Sequence, residues 1–162
     1  MAHAPIHFWE NGGSGPAWVD DFALVPNVVG NPGFETGALS PWVASGNGAA
    51  VADGNALSGS YALKASGAYN GAEQVVTGLS PNTTYTLSGW VKVTNAGDYG
   101  YIGVKNYGGS ERDQLNVATS YARVALTFTT GSSNTSTTIY LWQATGSGNA
   151  YADDFTLGQA AR

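Results

Sequence analysis

The sequence contains no cysteine, and its only two histidines, His3 and His7, lie near its start. The lack of cysteine excludes disulfides and thiolate chemistry. The lack of histidine beyond His7 excludes a Ser-His-Asp triad or a histidine zinc cluster from the rest of the chain. No basic block is present and the net charge is −5, which argues against nucleic-acid binding. No apolar run reaches the roughly 20 residues of a membrane span.

Charged residues are also scarce, at 10% of the 162 residues, whereas glycine occurs 23 times and aromatic residues reach 12%. Disordered chains usually carry more charge and fewer aromatic residues, so we expect a folded protein. Apolar and small polar residues alternate in "YTLSGWVKV" (85–93), "VALTFTT" (124–130) and "TIYLWQ" (138–143). Such short runs between glycine-rich turns predict an all-β sandwich, a jelly roll of two antiparallel sheets with about eight or nine strands.

A segment near the start of the chain is repeated at its end. The stretch "GSGPAWVDDFAL" begins at Gly13, and "GSGNAYADDFTL" begins at Gly146. Alignment of residues 6–24 with residues 139–157 gives ten identities in 19 positions. Chance similarity between glycine-rich strands is the alternative to a true repeat. The offset between the copies matches the length of a module, which favours tandem modules in the natural protein.

This repeat divides the chain into three parts. We interpret residues 1–25 as the remnant of the final hairpin of a preceding module plus cloning residues, since "MAHA" has no feature of an export signal. Residues 26–158 form one module, and residues 159–162 form a tail. Because two copies of the hairpin would compete for one position, we expect residues 1–25 to dock on the module or on a neighbouring chain. A strand-exchanged dimer is one form of this docking.

The terminal strand carries an acidic residue among apolar ones. In "YADDFTL", strict alternation places Asp153 on the same face as Phe155 and Leu157, so its carboxylate points toward the core. A buried carboxylate requires a partner, and no lysine or arginine is close in sequence. Glu35 in "NPGFETG" is a second acid, beside the apolar Phe34. Two converging carboxylates with loop carbonyls suit Ca²⁺, which takes roughly six to eight oxygens. In the alternative interpretation, both acids are solvated or cap turns.

Aromatic residues are concentrated at positions predicted to point outward. The predicted inward positions are Leu87, Val91, Ile102, Val104, Ile139 and Leu141. The alternate, outward positions are Trp90, Lys92, Tyr99, Tyr101, Lys105, Tyr140 and Trp142, with Asn106, Gln114 and Gln143 as polar neighbours. So many exposed rings on one face suggest a surface that stacks on sugar rings. Coverage of the rings by loops and a one-residue slip at a bulge are the alternatives.

The predicted module has no obvious catalytic pair. Glycoside hydrolysis needs two carboxylates roughly 5–10 Å apart across a cleft. Glu111 and Asp113 lie in "GGSERDQ", which we predict to be a loop. If this segment were extended, we expect the two acids to point to opposite sides, and Glu73 lies on another strand. The sequence shows no strand-borne acidic pair on the aromatic face. We therefore expect a protein that is not an enzyme by itself.

Several motifs together resemble a known group of proteins. "NPGFETGALSPW", "SGSYALKAS", "GLSPNTTYTLSGWVKV" and the closing "AYADDFTL" resemble the carbohydrate-binding modules of families 4, 9, 16 and 22. The resemblance covers about residues 27–157. It implies a β-jelly roll that binds a polysaccharide on its concave sheet without cleaving it. It also implies a secreted bacterial protein in which the module tethers a glycoside hydrolase or polysaccharide lyase to its substrate.

The resemblance implies a structural calcium site as well. Glu35 and Asp153 match the acidic residues of that site. Asn31, Ser58 and Ser60 would contribute further oxygen ligands.

For the glycan site, the resemblance implies aromatic contacts, of which the first is Trp90 and the others are Tyr99, Tyr101 and Trp142. Lys92 and Lys105 in an otherwise acidic protein make an anionic glycan conceivable beside the neutral β-glucan that is typical of the family. The partners in the parent chain would be a sister module and a catalytic domain. A structural or adhesive repeat without a ligand site, and a glycan-cleaving enzyme, are the alternative functions.

Overall fold

The computed structural model describes residues 27–160, which form ten β-strands. The strands are β1 (Val43–Ser45), β2 (Ala49–Asp53), β3 (Tyr61–Ser66), β4 (Asn70–Thr77), β5 (Thr84–Val93), β6 (Tyr99–Lys105), β7 (Arg112–Asn116), β8 (Ala122–Thr129), β9 (Ser136–Thr145) and β10 (Asn149–Gln159). Sheet I has the order β1-β4-β9-β6-β7, and sheet II has the order β2-β3-β10-β5-β8. The prediction of an all-β jelly roll with two antiparallel sheets is confirmed. Nowhere in residues 27–160 is there a helix long and apolar enough to cross a membrane.

The core lies between the two sheets and consists of the inward positions of the alternating strands. The six residues predicted to point inward are all fully buried: Leu87, Val91, Ile102, Val104, Ile139 and Leu141. Burial of an aliphatic side chain of this size contributes roughly 1.5–3 kcal/mol. The apolar residues that alternate in the sequence are therefore the ones whose burial stabilises the sandwich.

The segment before β1 closes one end of the sandwich against β10. Phe34, Trp42 and Phe155 pack together there, with ring centroids between 4.8 and 6.3 Å apart. The Phe155 backbone N–H donates to the Pro32 carbonyl at 3.0 Å. These contacts hold the loop that carries Glu35 beside the middle of β10.

The structure has more strands than the eight or nine expected from the sequence. One strand, β7, begins inside the segment that we predicted to be a loop and extends two residues beyond it. Most of its residues are exposed because β7 is an edge strand of sheet I, so no buried apolar alternation marks it in the sequence. As a result, Asp113 lies on a strand, directly opposite Gly103 of β6.

The prediction of a single aromatic outer face is wrong, because its residues belong to two different sheets. Trp90 and Lys92 lie on β5, in sheet II. The other predicted members lie on β6 and β9 of sheet I: Tyr99, Tyr101, Lys105, Tyr140 and Trp142. Alternation determines which side of a strand a residue occupies, but it does not determine which sheet the strand joins.

Asp153 is fully buried, as predicted, but the reason given for its burial is wrong. Strand β10 pairs with β5 up to Asp153, and the pairing resumes at Thr156 with one extra residue on β10. The extra residue is Asp154, whose φ of 50° marks the irregularity. This β-bulge places Asp153 on the outer face of sheet II, opposite to the inward Phe155. Asp153 is buried because the loop between β2 and β3 covers it.

Strand β10 ends at Gln159, one residue beyond the predicted end of the module. The predictions for residues 1–25, namely the hairpin of a preceding module and the strand-exchanged dimer, lie outside the described residues. Residues 161–162 of the predicted tail also lie outside them. These predictions remain predictions.

Candidate functional site

An open cleft of about 610 Å³ lies on the outer face of sheet I. This volume is within the range of small-ligand sites in proteins. The aromatic residues that line the cleft are Tyr101, Tyr140 and Trp142. The polar and charged residues that line it are Ser45, Glu73, Lys105, Glu111 and Asp113. All five strands of sheet I contribute, so the cleft is a property of the assembled sheet.

The register of sheet I places the aromatic residues of the cleft side by side. Trp142 of β9 lies directly opposite Tyr101 of β6, and Tyr101 lies opposite Leu115 of β7. On its other side, Trp142 lies opposite Gly71 of β4. Neighbouring strands are roughly 4.8 Å apart. Trp142 and Tyr101 therefore provide two adjacent rings in the cleft.

Two glycines allow aromatic rings to lie against the sheet. A side chain on Gly71 would come within 3.0 Å of Trp142 Cε3, and one on Gly103 would overlap the ring of Tyr140. The Trp142 ring thus leans over β4 and remains half-exposed. The Tyr140 ring leans over β6 and is only 8% exposed. Trp142 can therefore offer a ring face to a ligand, whereas Tyr140 mainly forms the wall of the cleft.

One ion pair spans the central strand of sheet I. Lys105 Nζ on β6 lies 2.6 Å from Glu73 Oε2 on β4, and β9 runs between these two strands. The same Nζ lies 5.8 Å from the ring centroid of Tyr140. Both side chains are 35% exposed. Their polar atoms are therefore accessible to hydroxyl groups of a ligand in the cleft.

Two further carboxylates line the side of the cleft that β7 forms. Glu111 directly precedes β7, Asp113 lies on it, and both are exposed. Burial first, then Glu111 and then Asp113 raise the pKa of the Tyr140 hydroxyl above its usual value of 10.0. The hydroxyl therefore keeps its proton to a more alkaline pH than an exposed tyrosine does. It can serve as a hydrogen-bond donor on the acidic side of the cleft.

The structure brings together four of the residues that we predicted to contact a glycan: Tyr101, Lys105, Tyr140 and Trp142. Tyr99 lies on the same face of β6 and is 39% exposed, but it does not line the cleft. Gln114 pairs with the inward residue Ile102, so it lies on the opposite side of β7 from Asp113. Its predicted place on the aromatic face is therefore wrong.

The sequence did not predict that three acidic residues line the cleft: Glu73, Glu111 and Asp113. Glu73 lies between the inward residues Ala72 and Gln74, so its outward position follows from alternation. Glu111 and Asp113 are two residues apart, so they share a face of an extended segment, and the expectation that they point to opposite sides is wrong. The missing information was that this segment is a strand and that it joins the aromatic sheet.

Part of the outer face of sheet II is covered by the β2–β3 loop, whereas the face of sheet I carries an open cleft. Lys92 Nζ lies 4.7 Å from the ring centroid of Tyr121 and 5.2 Å from that of Tyr151. The Tyr121 hydroxyl donates to the Asn55 carbonyl at 2.8 Å, which fastens the β2–β3 loop over this face. Burial, followed by the charge of Asp153, raises the pKa of Tyr121. Lys92 is thus on the side of the sandwich opposite to the cleft, where it packs on aromatic rings.

Three acidic side chains lie around Gly33, beside the bulge in β10. A methyl group on Gly33 would lie 3.1 Å from Asp154 Oδ1, 3.5 Å from Asp153 Oδ1 and 3.9 Å from Glu35 Cγ. Within residues 27–160, no lysine or arginine forms an ion pair with any of these three acids. Burial raises the pKa of Asp153, and backbone N–H donors, first among them that of Ser58, oppose the rise. The cluster is therefore a concentration of negative charge without a side-chain counterion in the described part of the chain.

Both serines predicted to bind calcium contact this cluster, as hydrogen-bond donors. The backbone N–H of Ser58 donates to Asp153 Oδ2 at 3.2 Å, and its hydroxyl donates to Asp154 Oδ1 at 3.0 Å. The backbone N–H of Ser60 donates to both carboxylate oxygens of Glu35 at 3.0 Å. The loop that carries both serines is therefore held by the carboxylates.

Asn31, the third predicted additional ligand, shapes the opening loop. Its Nδ2 donates to the Ala38 carbonyl at 2.7 Å and to the Ser40 carbonyl at 3.3 Å. In the described residues, no group of three acidic or histidine side chains is placed to hold a metal by itself. A cation beside Asp153 would therefore also need backbone or water oxygens. Such a mixed oxygen set suits a hard cation such as Ca²⁺.

A family model described as a carbohydrate binding domain matches residues 26–148. Over 130 residues the chain is 43% identical to a keratan-sulfate endo-1,4-beta-galactosidase of Sphingobacterium multivorum. Over 135 residues it is 35% identical to exochitinase 1 of Streptomyces olivaceoviridis. These alignments cover 80% and 81% of this chain but only 31% and 21% of the two relatives. The chain thus spans less than a third of the length of either enzyme.

Solved structures with the same fold include a family 61 carbohydrate-binding module in complex with beta-1,4-galactotriose. It is 26% identical, with a TM-score of 0.68, and the match covers 84% of this chain and 100% of that one. A family 16 carbohydrate-binding module is also 26% identical, with a TM-score of 0.66 and coverage of 82% and 99%. A family 22 xylan-binding domain from Paenibacillus barcinonensis shares the fold at 20% identity, with a TM-score of 0.62 and coverage of 80% and 93%.

Proposed function

This chain belongs to the carbohydrate-binding domain family, as its motifs predicted, and we propose that its cleft binds a glycan with β-1,4-linked galactose. The observation that carries this proposal is the open cleft on sheet I. In it, Trp142 lies over Gly71 and beside Tyr101. A carbohydrate-binding domain is a non-catalytic unit, so the cleft acts by holding the polysaccharide.

Two similar proteins support galactose as the sugar. The relative from Sphingobacterium multivorum is named as an endo-1,4-beta-galactosidase, and the family 61 module was solved with beta-1,4-galactotriose. Galactose has an axial hydroxyl at carbon 4, so one face of its ring carries mainly C–H groups. Such a face stacks on a flat indole ring like that of Trp142. These two similar proteins lead us to favour a galactoside over the β-glucan expected from the sequence.

The spacing of the aromatic rings suits a glycan that runs across the strands. Trp142 and Tyr101 lie on neighbouring strands, roughly 4.8 Å apart, which is close to the length of one sugar unit in a β-1,4-linked chain. Two consecutive units would stack on the two rings. The Lys105–Glu73 pair would then hydrogen-bond their hydroxyls. Because each contact contributes little net free energy, we expect modest affinity for soluble oligosaccharides.

The relatives also suggest how the module is used. Both curated relatives described above are named for cleaving a glycan, and this chain matches less than a third of each. The module would therefore tether a secreted bacterial enzyme to its polysaccharide, within a longer protein that carries a catalytic domain. A sister module in that protein would account for the repeated residues 6–24.

Two tryptophans on opposite sheets provide a matched test. Affinity gel electrophoresis with β-1,4-galactan, β-glucan and xylan would compare the unmodified chain with Trp142→Ala and Trp90→Ala. We expect galactan to retard the unmodified chain and Trp142→Ala to weaken this binding by roughly tenfold or more. Trp90→Ala should bind normally, because Trp90 lies on sheet II. Retardation by none of the glycans would favour a spacer module, and release of soluble products from galactan would indicate an enzyme.

The carboxylates of Asp153, Asp154 and Glu35 form a second proposed site, which would hold a structural Ca²⁺. Its support is the full burial of Asp153 and the absence, within residues 27–160, of an ion pair to these acids. A bound ion would offset their charge and fasten the opening loop to β10. Thermal unfolding with Ca²⁺ and with EDTA tests this site. We expect a higher midpoint with Ca²⁺, and equal midpoints would contradict the proposal.

A further inference from the structure

We infer that the cleft discriminates against anionic sugars, because the charged groups that face it are mainly acidic. The inference rests on the proposed glycan-binding function, since it concerns the same cleft. Three carboxylates line the cleft, those of Glu73, Glu111 and Asp113, against a single described cation, that of Lys105. Lys105 is already paired with Glu73. The two carboxylates on the β7 side are therefore not offset by any cation in the lining.

The other basic side chains of residues 27–160 are directed away from the cleft. Arg112 lies opposite the inward residue Val104, on the far side of β7 from Asp113, and its Nη1 donates to the Thr127 carbonyl at 2.9 Å. The remaining ones lie on strands of sheet II: Lys64, Lys92 and Arg123. None of these groups can offset a negative charge on a sugar bound to sheet I.

An anionic group on a sugar bound near Tyr140 would lie close to like charges. Asp113 and Tyr140 both lie directly opposite Gly103, one on each side of β6, so they share one row across the sheet. Glu111 is close enough to Tyr140 to influence its hydroxyl. Like charges brought together in a partly desolvated site weaken binding. The net charge of −5 on the chain acts in the same direction.

This inference reverses the expectation that Lys92 and Lys105 favour an anionic glycan. Lys92 lies on the other sheet, and the charge of Lys105 is offset by Glu73. The charge of the cleft bears on substrate choice, because one relative is named for acting on keratan sulfate. We expect this chain to prefer galactose units without sulfate or carboxylate groups.

A matched pair of polymers tests the inference: β-1,4-galactan, and the same galactan oxidised at carbon 6 to the uronate. Affinity gel electrophoresis at low salt would give the ratio of the two dissociation constants. The chains compared would be the unmodified protein, the double variant Glu111→Gln with Asp113→Asn, and the control Asp53→Asn. The control removes an exposed carboxylate from β2, in sheet II. Circular dichroism would verify that each variant is folded.

We expect the unmodified chain to prefer the neutral galactan by about tenfold, with a smaller preference at high salt. The double variant should reduce this ratio severalfold, and Asp53→Asn should leave it unchanged. Equal binding of both polymers by the unmodified chain, or an unchanged ratio in the double variant, would overturn the inference and leave the proposed function standing. If the neutral galactan does not bind, the proposed function is overturned and the inference falls with it.

Discussion

The outer faces of the two sheets contain the same kinds of residue but differ in what covers them. On sheet I, Trp142 borders an open cleft, and Lys105 pairs with Glu73 within reach of solvent. On sheet II, Lys92 packs on the rings of Tyr121 and Tyr151, and Tyr121 holds the β2–β3 loop. The face of sheet I can therefore receive a ligand, whereas Tyr121 and Asp153 on the side of sheet II hold a loop over part of that face.

This difference shows that an outward aromatic residue is not by itself evidence of a binding site. The position of a ring on the outer side of a strand follows from alternation. Its availability to a ligand depends on the loops that cross the face. Three changes test the contrast between the two faces, in order of decreasing expected effect.

The largest effect is expected on sheet II, from Asp153→Asn. Asp153 accepts hydrogen bonds from the backbone N–H groups of Leu57, Ser58 and Asp154 at 2.8 to 3.2 Å. An amide nitrogen in place of either oxygen would face at least one of these donors. We expect a loss of about 2–3 kcal/mol in the free energy of unfolding, or a midpoint lowered by about 8 °C.

Asp154→Asn is the matched control, because asparagine tolerates the φ of 50° at this position. Its expected loss is below about 1 kcal/mol. Denaturation in EDTA would measure both variants without a contribution from bound cations. Neither change should alter galactan affinity, since the cleft lies on the other sheet. Weaker galactan binding by folded Asp153→Asn would contradict the prediction that the two faces act independently.

An intermediate effect is expected on sheet I, from Gly103→Ala. The added methyl group would overlap the Tyr140 ring, which must then move away from β6. We expect a loss of about 2 kcal/mol in stability, together with weaker galactan binding because the wall of the cleft shifts. Tyr140→Phe, which removes only the hydroxyl, is the control and should keep the ring in place. Unchanged galactan affinity in Gly103→Ala would show that Tyr140 does not shape the site.

The smallest effect is expected at alkaline pH, on the pKa of Tyr140 on sheet I as compared with that of Tyr121 near sheet II. The pKa of each hydroxyl is raised above 10.0, first by burial and then by neighbouring acids. Because the folded-state pKa exceeds the unfolded value, each tyrosine adds stability that is fully present below pH 10. That contribution is lost as the pH rises through the folded-state pKa.

The acids that raise the pKa of Tyr140 are Glu111 and Asp113, whereas those near Tyr121 are Asp153 and Asp154. Glu111→Gln with Asp113→Asn should therefore lower the pKa of Tyr140 and leave Tyr121 unchanged. Ultraviolet titration of tyrosinate, with Tyr140→Phe and Tyr121→Phe for assignment, would measure this. A shift at Tyr121 instead would contradict the separation of the two faces.

Part of the site could be predicted from the sequence because it depends on local pattern. The outward positions of Tyr101, Tyr140 and Trp142 follow from the alternation of β6 and β9. The outward position of Asp113 could not be predicted in this way, because the edge strand β7 buries little apolar surface and its sequence shows no alternation. Trp90 matched the family pattern best in the sequence, yet it lies on the sheet opposite to the cleft.

The sequence by itself determined the class of fold, the inward core positions and the family, since alternation and short motifs are properties of consecutive residues. The tertiary structure decided which strands share a sheet, which face stays open and why Asp153 is buried. A bulge at Asp154 reverses the alternation of β10, and a distant loop then covers the outward carboxylate. Strand pairing and loop coverage join residues far apart in the chain, and no local pattern records them.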